Sequence, residues 1–255
     1  MTARTETVRL EKFKLAPVNR ARLARYLELP SVAQLDPITD AEIRKLDARR
    51  DELLSLWQRA VVLPIERAFG RWIELSGDVG PVEATDVYVN LLTDSSADAL
   101  VVGAFTIGGR VDEAIRGHLD REEVYEAFVL KQWAAAMTEQ ARVVLTRGVR
   151  DWSERHGRSL LPYDGPGYNG WPLASLGPLL EVVYRAGEES MAQPVRATES
   201  GVLLPTNSML IVYGMTCRRA PAARVDEALA QCHRCAMRNC RYRTPASADV
   251  AGSVA

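Results

Sequence analysis

The chain reads as an α+β protein in which a mostly antiparallel, twisted sheet packs against long helices. Three observations lead there. The runs Leu100–Ile107 and Ser208–Thr216 are rich in β-branched and aromatic residues, as buried strands are. Between them a helical pattern of apolar residues extends from Asp120 to Arg155. Strands crowd the first half, long helices follow and one strand returns near the end, without the regular strand–helix alternation of a parallel sheet.

Taken in order, Arg20 to Leu29 form a short amphipathic helix with Leu23, Tyr26 and Leu27 on one side, ended by Pro30. After a loop containing Pro37, Thr39 and Asp40 are expected to cap a charged helix from Ala41 to Arg59, with Ile43, Leu46, Leu53, Leu54 and Trp57 as its apolar stripe. Its many Arg, Asp and Glu residues read as a solvated face. Val61–Arg67 and Phe69–Leu75 are the next strands, and Pro64, which donates no ladder hydrogen bond, predicts an edge position for the first. Gly77 to Pro81 is a turn within the domain. Asp86–Leu92 alternates and predicts a strand, with a short helix over Thr93–Asp98 before the strand at Leu100. Gly108 and Gly109 then break the chain. In the long helix Val124, Phe128, Val129, Trp133, Ala136, Met137, Val143 and Val144 supply the apolar face, and Gly148 marks a kink or an end. Leu173–Arg185 is a further helix with Gly187 as its stop. One domain is expected over residues 1–244, with a helical N-terminal part (1–60) and a cysteine-containing segment (217–244). The Ala/Ser/Val-rich tail, 245–255, is expected to be disordered.

Charge and composition narrow the partners. The 32 Lys and Arg residues balance 33 Asp and Glu, giving a net charge of -1 without a basic stripe, which argues against nucleic acid or an anionic membrane held by charge. No apolar run approaches the roughly 20 residues needed to span a bilayer, and the N-terminus lacks the apolar core of a secretion signal. A cytoplasmic location is expected. The three histidines, His118, His156 and His233, lack a Ser or Cys partner motif, and there is no phosphate-binding glycine loop or nucleophile elbow, so hydrolytic chemistry has little support.

The most informative stretch is Tyr163-Asp164-Gly165-Pro166-Gly167-Tyr168-Asn169-Gly170-Trp171-Pro172. Its glycines and prolines exclude a helix interior or a central strand, so the backbone turns there with two aromatic side chains inside the turn. Those aromatics either pin the turn to the core or offer a flat apolar surface to a planar ligand. Downstream come Thr198-Glu199-Ser200, Pro205, Ser208 and the last strand. The order Pro-Gly-Tyr-x-Gly-Trp-Pro, helix, Thr-Glu-Ser, Pro, Ser and hydrophobic strand resembles the activation (reactivation) domain of cobalamin-dependent methionine synthase, and more closely its stand-alone relatives. Weaker echoes at Arg25-Tyr26-Leu27, Ala104–Gly108, Val111-Asp112, Glu139 and the C-terminal cysteines extend the likeness over most of the chain.

That resemblance implies the fold of the activation domain and a groove that binds S-adenosylmethionine and presents it to cob(II)alamin on a partner. The partner would be a corrinoid protein or a methionine synthase lacking its own activation domain, with a flavodoxin-like protein as electron source. Tyr168 would stand nearest the reacting groups. Gly165, Pro166, Gly167, Gly170 and Trp171 would shape the ligand turn, Thr198, Glu199 and Ser200 would support the groove, and Glu139 would face the cationic end of the ligand. Read alone, Glu139 is a solvated helix residue and Thr198–Ser200 a hydrogen-bonded turn into a strand. The arginine that the family uses for the ligand carboxylate stands four residues before the glycine of Pro-Gly-Tyr; here that position is Tyr163, and a phenol replaces a bidentate guanidinium poorly. Arg158, five residues upstream, is the nearest substitute in sequence.

A separate signal is Cys232-x-x-Cys235-x4-Cys240, which with Cys217 or His233 has the spacing of a zinc or iron–sulfur site, or else holds free thiols. Three functions are therefore expected to compete. One is S-adenosylmethionine-dependent reductive methylation of cob(II)alamin, another a corrinoid-protein-binding module without nucleotide, the third a metal-containing redox accessory.

Overall fold

The computed structural model describes residues 5–76, 79–186 and 194–218. Its strands are β1 (Glu6–Val8), β2 (Trp57–Phe69), β3 (Trp72–Leu75), β4 (Pro81–Glu83), β5 (Ala99–Thr106), β6 (Ser159–Leu160), β7 (Arg196–Ala197), β8 (Leu203–Leu204) and β9 (Ser208–Thr216). The helices are α1 (Arg20–Tyr26), α2 (Pro37–Ala48), α3 (Arg50–Leu53), α4 (Asp86–Asp94), α5 (Arg110–Asp120), α6 (Val124–Arg155) and α7 (Leu176–Arg185). The main sheet runs β4-β3-β2-β5-β9-β6 with β1 also on β2, and every pairing is antiparallel. A curled antiparallel sheet carrying helices on both faces is an α+β fold, as the order of elements predicts.

Strand β5 explains its own sequence. All eight of its residues are buried, with Ala99, Val101 and Phe105 in the core beneath α6 and Leu100, Val102 and Ala104 in the core beneath α4 and α7. A strand covered on both faces has no polar side to show, which produces the unbroken apolar run. On the first face α6 inserts Trp133, whose Nε1 donates to Asp47 Oδ1 at 3.0 Å. The same carboxylate accepts from Val18 N and Arg20, at 3.0 Å each, and so ties the N-terminal helices to α6.

Five expectations need correction. Asp86–Leu92 is a helix, because the Thr85 side chain accepts from Tyr88 N and closes the first turn. Burial of Tyr88, Val89 and Leu92 with Val87 exposed then follows a helical period that Asp-Val-Tyr-Val disguises as alternation. The helix expected from Ala41 to Arg59 starts four residues earlier, capped by Asp36 with Pro37 in its first turn, and gives way at Trp57 to β2. Pro64 lies inside a central strand. Its carbonyl accepts from Ser76 N, so its ring nitrogen faces the seam where β1 has ended and β3 begins, and no bond to β5 is lost. Gly148 does not end α6, which runs on to Arg155; its bare Cα faces Leu10, whose Cδ2 would lie 3.0 Å from an added Cβ. Val124 and Phe128, expected on the buried face, are 65% and 47% exposed. Gly187 and the segment after Arg218 lie outside the described residues.

Candidate functional site

The glycine-rich turn is built onto the middle of β9. Asp164 exchanges both backbone hydrogen bonds with Val212, at 2.9 and 2.8 Å, and Tyr88 Oη donates to the Val212 carbonyl from below. Beyond that bridge Tyr168 N bonds Gly165 O, Trp171 N bonds Tyr168 O and Gly167 N bonds Trp171 O. The Asp164 carboxylate spans the turn: Oδ1 accepts from Gly165 N at 2.9 Å, and the Asn169 amide reaches both oxygens at 3.4 and 3.2 Å. Asn169 itself is left-handed, with φ of 49°.

The two aromatics part company. Trp171 points inward, 2% exposed, with its ring 5.1 Å from Tyr88 in the core under α4 and α7. Tyr168 is half-buried and lines a groove of about 230 Å³ between Pro166–Tyr168 and the segment 201–210, with Leu173 and Leu176 completing the lining. A second groove, about 410 Å³, holds Thr198, Glu199 and Ser200 and shares Leu173, Leu176 and Gly201 with the first. The Thr198 and Ser200 hydroxyls bond each other at 2.9 Å, and Thr198 Oγ1 accepts from Val202 N, so both serve the turn that carries Gly201. Asp112 on α5 fixes the far wall by accepting from Thr206 N at 2.8 Å, Thr206 Oγ1 at 2.6 Å and Asn207 Nδ2 at 3.2 Å. Pro166, Gly167 and Tyr168 thus come together at one groove and Thr198–Ser200 at its neighbour. Gly165, Gly170 and Trp171 belong to the turn but line neither groove.

Glu139 stands on α6, held by Arg142 through two bonds of 2.8 and 2.6 Å. The Arg142 guanidinium rests 4.8 Å from the centre of the Tyr163 ring, which tilts against Tyr213 at 6.1 Å; Tyr213 Oη in turn shares a 2.6 Å bond with Thr146. The charge and burial of this cluster act on its phenols. Burial first, and the Glu139 carboxylate second, push the Tyr168 hydroxyl up to about 12. Burial pushes Tyr163 further in the same direction. Burial opposes the charge on Arg142, yet hydrogen bonding to Glu139 and its negative charge outweigh that and hold the guanidinium protonated. Arg158, the nearest arginine to Tyr163 in sequence, pairs instead with Asp98.

Sequence reasoning missed Arg142 altogether and gave Asp164, Asn169 and Asp112 no role of their own, though all three lie in stretches it singled out. Arg142 carried a signal, since it lies four residues after Thr138 and three before Leu145, both buried on α6. Of the cysteines, Cys217 is exposed with its Sγ 3.7 Å from Asp98 Oδ2. Among the described residues no group of three or more His, Cys, Asp or Glu side chains is arranged to hold a metal. Cys232, Cys235 and Cys240 lie outside them. No helix among the described residues is long and apolar enough to cross a membrane.

The fold and its groove define an α+β domain with a curled antiparallel sheet and a loop-lined cleft on the sheet's last long strand. The crystal structure of the MetH reactivation domain bound to AdoHcy has this fold: it matches 82% of this chain and 78% of its own, with a TM-score of 0.57 and 15% sequence identity. No family model matches the chain, and no curated protein matches it by sequence.

Proposed function

We propose that this protein acts as an activation domain. It takes S-adenosylmethionine in the groove beside Tyr168, docks on a cobalamin-carrying partner and supports reductive methylation of cob(II)alamin. The observation that carries this reading is the groove between Pro166–Tyr168 and the 201–210 segment, on the fold of a domain whose structure holds AdoHcy. Cob(II)alamin, one electron from an external reductant and the methyl group of S-adenosylmethionine give methylcobalamin and S-adenosylhomocysteine. The hard chemistry belongs to cobalt and the sulfonium, and the protein's part is to bind and orient. Tyr168, neutral at physiological pH, offers a hydroxyl and an apolar ring at the groove wall. The 166–168 backbone and Leu173 flank the ligand, and Asp112 keeps the opposite wall in place.

The test is transfer of labelled methyl from S-adenosylmethionine to a cob(II)alamin-loaded corrinoid protein in the presence of reductant. Label in the corrinoid above the protein-free background supports the proposal; background alone refutes the catalytic form.

One observation favours the rival reading, a corrinoid-binding module without nucleotide. Tyr163 is buried where the resemblance calls for a ligand-binding arginine, and Arg142 is committed to Glu139. Calorimetry separates the two: the rival predicts binding to the corrinoid protein and none to the nucleotide.

A further inference from the structure

Lys14, Leu15, Arg50, Asp51, Leu54 and Leu56 line a cavity of about 280 Å³ that shares no residue with either groove. Its apolar part is leucine: Leu15 is buried, and Leu54 and Leu56 pack against the core beneath α6. Its polar part sets two cations against one carboxylate, and their charges are poorly matched within the cavity. Asp51 Oδ2 stands 4.0 Å from Lys14 Nζ and Oδ1 stands 3.6 Å from Arg50 Nε, both beyond hydrogen-bond length. The Asp51 side chain is also 71% exposed and so well hydrated, whereas that of Arg50 keeps 22%. Arg50 Nη1 donates to the Asp47 carbonyl at 3.2 Å, but its Nε is shut off from water and makes no hydrogen bond. Leaving a buried donor of a charged group without an acceptor is costly, and the acceptor that suits a guanidinium best is an anionic oxygen. Because Arg50 lines the cavity, a rotation of its guanidinium brings that donor to a ligand placed there.

We propose that this cavity binds a small amphipathic carboxylate, its oxygens between Arg50 and Lys14 and a short alkyl chain over Leu15, Leu54 and Leu56. A volume at the lower end of small-molecule sites keeps the ligand small, and a leucine floor with a few charged groups at its edge is the usual make-up of such a site. The site goes beyond the nucleoside reading and does not depend on it, since the two involve different residues.

The test is a titration of the isotope-labelled full chain with hexanoate, followed by the NMR shifts of its backbone amides. Amides at 14–15 and 50–56 are expected to move and saturate with a dissociation constant on the order of 1 mM. Arg50→Met and Lys14→Met are each expected to weaken binding about five-fold or more, and Asp51→Asn to strengthen it about two-fold by removing a competing charge. Hexan-1-ol, which lacks the charge, and acetate, which lacks the chain, are expected to bind about ten-fold more weakly. Hexylamine binding that Asp51→Asn abolishes would make this a cation site and overturn the inference. Acetate binding as tightly as hexanoate would leave an adventitious ion only, and shifts confined to other residues, or none at about 20 mM hexanoate, would overturn it as well. Lys14 is 88% exposed, so Lys14→Met decides the matter if Arg50→Met does not fold: hexanoate affinity unchanged by it would refute the proposed seat of the carboxylate.

Discussion

Gly201 lies in the groove's wall, and replacing it by alanine has a cost that can be worked from its surroundings. Its φ of 79° is a left-handed conformation that costs an L-residue roughly 1–2 kcal/mol. A Cβ there would also lie 2.9 Å from Leu173 Cβ and 3.3 Å from both Cγ and Cδ1. The first of those atoms is fixed to the backbone, so relief requires the 173–175 turn to move, and overpacking of this kind adds roughly 1–3 kcal/mol. Gly170, with φ of 86° and nothing within 4 Å of an added Cβ, isolates the backbone contribution. Gly201→Ala is therefore expected to destabilise by roughly 2–5 kcal/mol and Gly170→Ala by roughly 1–2 kcal/mol. Urea unfolding with unchanged m-values reads the difference. Adding Leu173→Ala to Gly201→Ala is expected to recover only part of the loss, because the closest contact is to a Cβ that alanine retains. Equal destabilisation by Gly201→Ala and Gly170→Ala would refute the packing argument.

Three further outcomes are expected. Trp171→Ala should cost roughly 3–5 kcal/mol in urea unfolding, since a fully buried ring packed on Tyr88 is lost; a cost below about 1 kcal/mol would mean the side chain is not in the core. In a native titration of phenolate absorbance, Tyr168 and Tyr213 should ionise only towards pH about 12, with Tyr163 above them, and a single transition near pH 10 for all eight tyrosines would contradict their burial. These shifts raise the folded value above that of the unfolded chain, so the stabilisation is complete below pH 10 and is lost as the pH rises towards 12. Asp164→Ala should remove the bonds to Gly165 N and Asn169 and loosen the turn that carries Tyr168, weakening nucleoside binding about ten-fold by calorimetry, with Asp164→Asn regaining part of the affinity.

The central strands and the long helix were legible because their patterns follow directly from burial. β5 and β9 are covered on both faces and read as apolar runs, and α6 repeats its buried residues over 32 positions. What misled was local chemistry outweighing pattern. A threonine cap turned an alternating stretch into α4, and a gap between two partner strands let Pro64 sit in the middle of a sheet. At the site, the turn at Pro166–Tyr168 was legible from its glycines and prolines, but its partners were not. Thr206 and Met209 reach the groove only because the 201–210 segment folds back beside the turn, a contact across about forty positions that no local spacing encodes. The pairing of Glu139 with Arg142 needed the rotation of α6, since an i,i+3 pair reads as a surface salt bridge until the burial of its second member is known.

The measurement that tests the central claim most directly is a crystal structure of the protein grown with S-adenosylhomocysteine. The account predicts the nucleoside between the Pro166–Tyr168 turn and the 201–210 segment, with the Glu139–Arg142 pair unbroken. Ligand density elsewhere on the surface, or no density at saturating concentration, would contradict it.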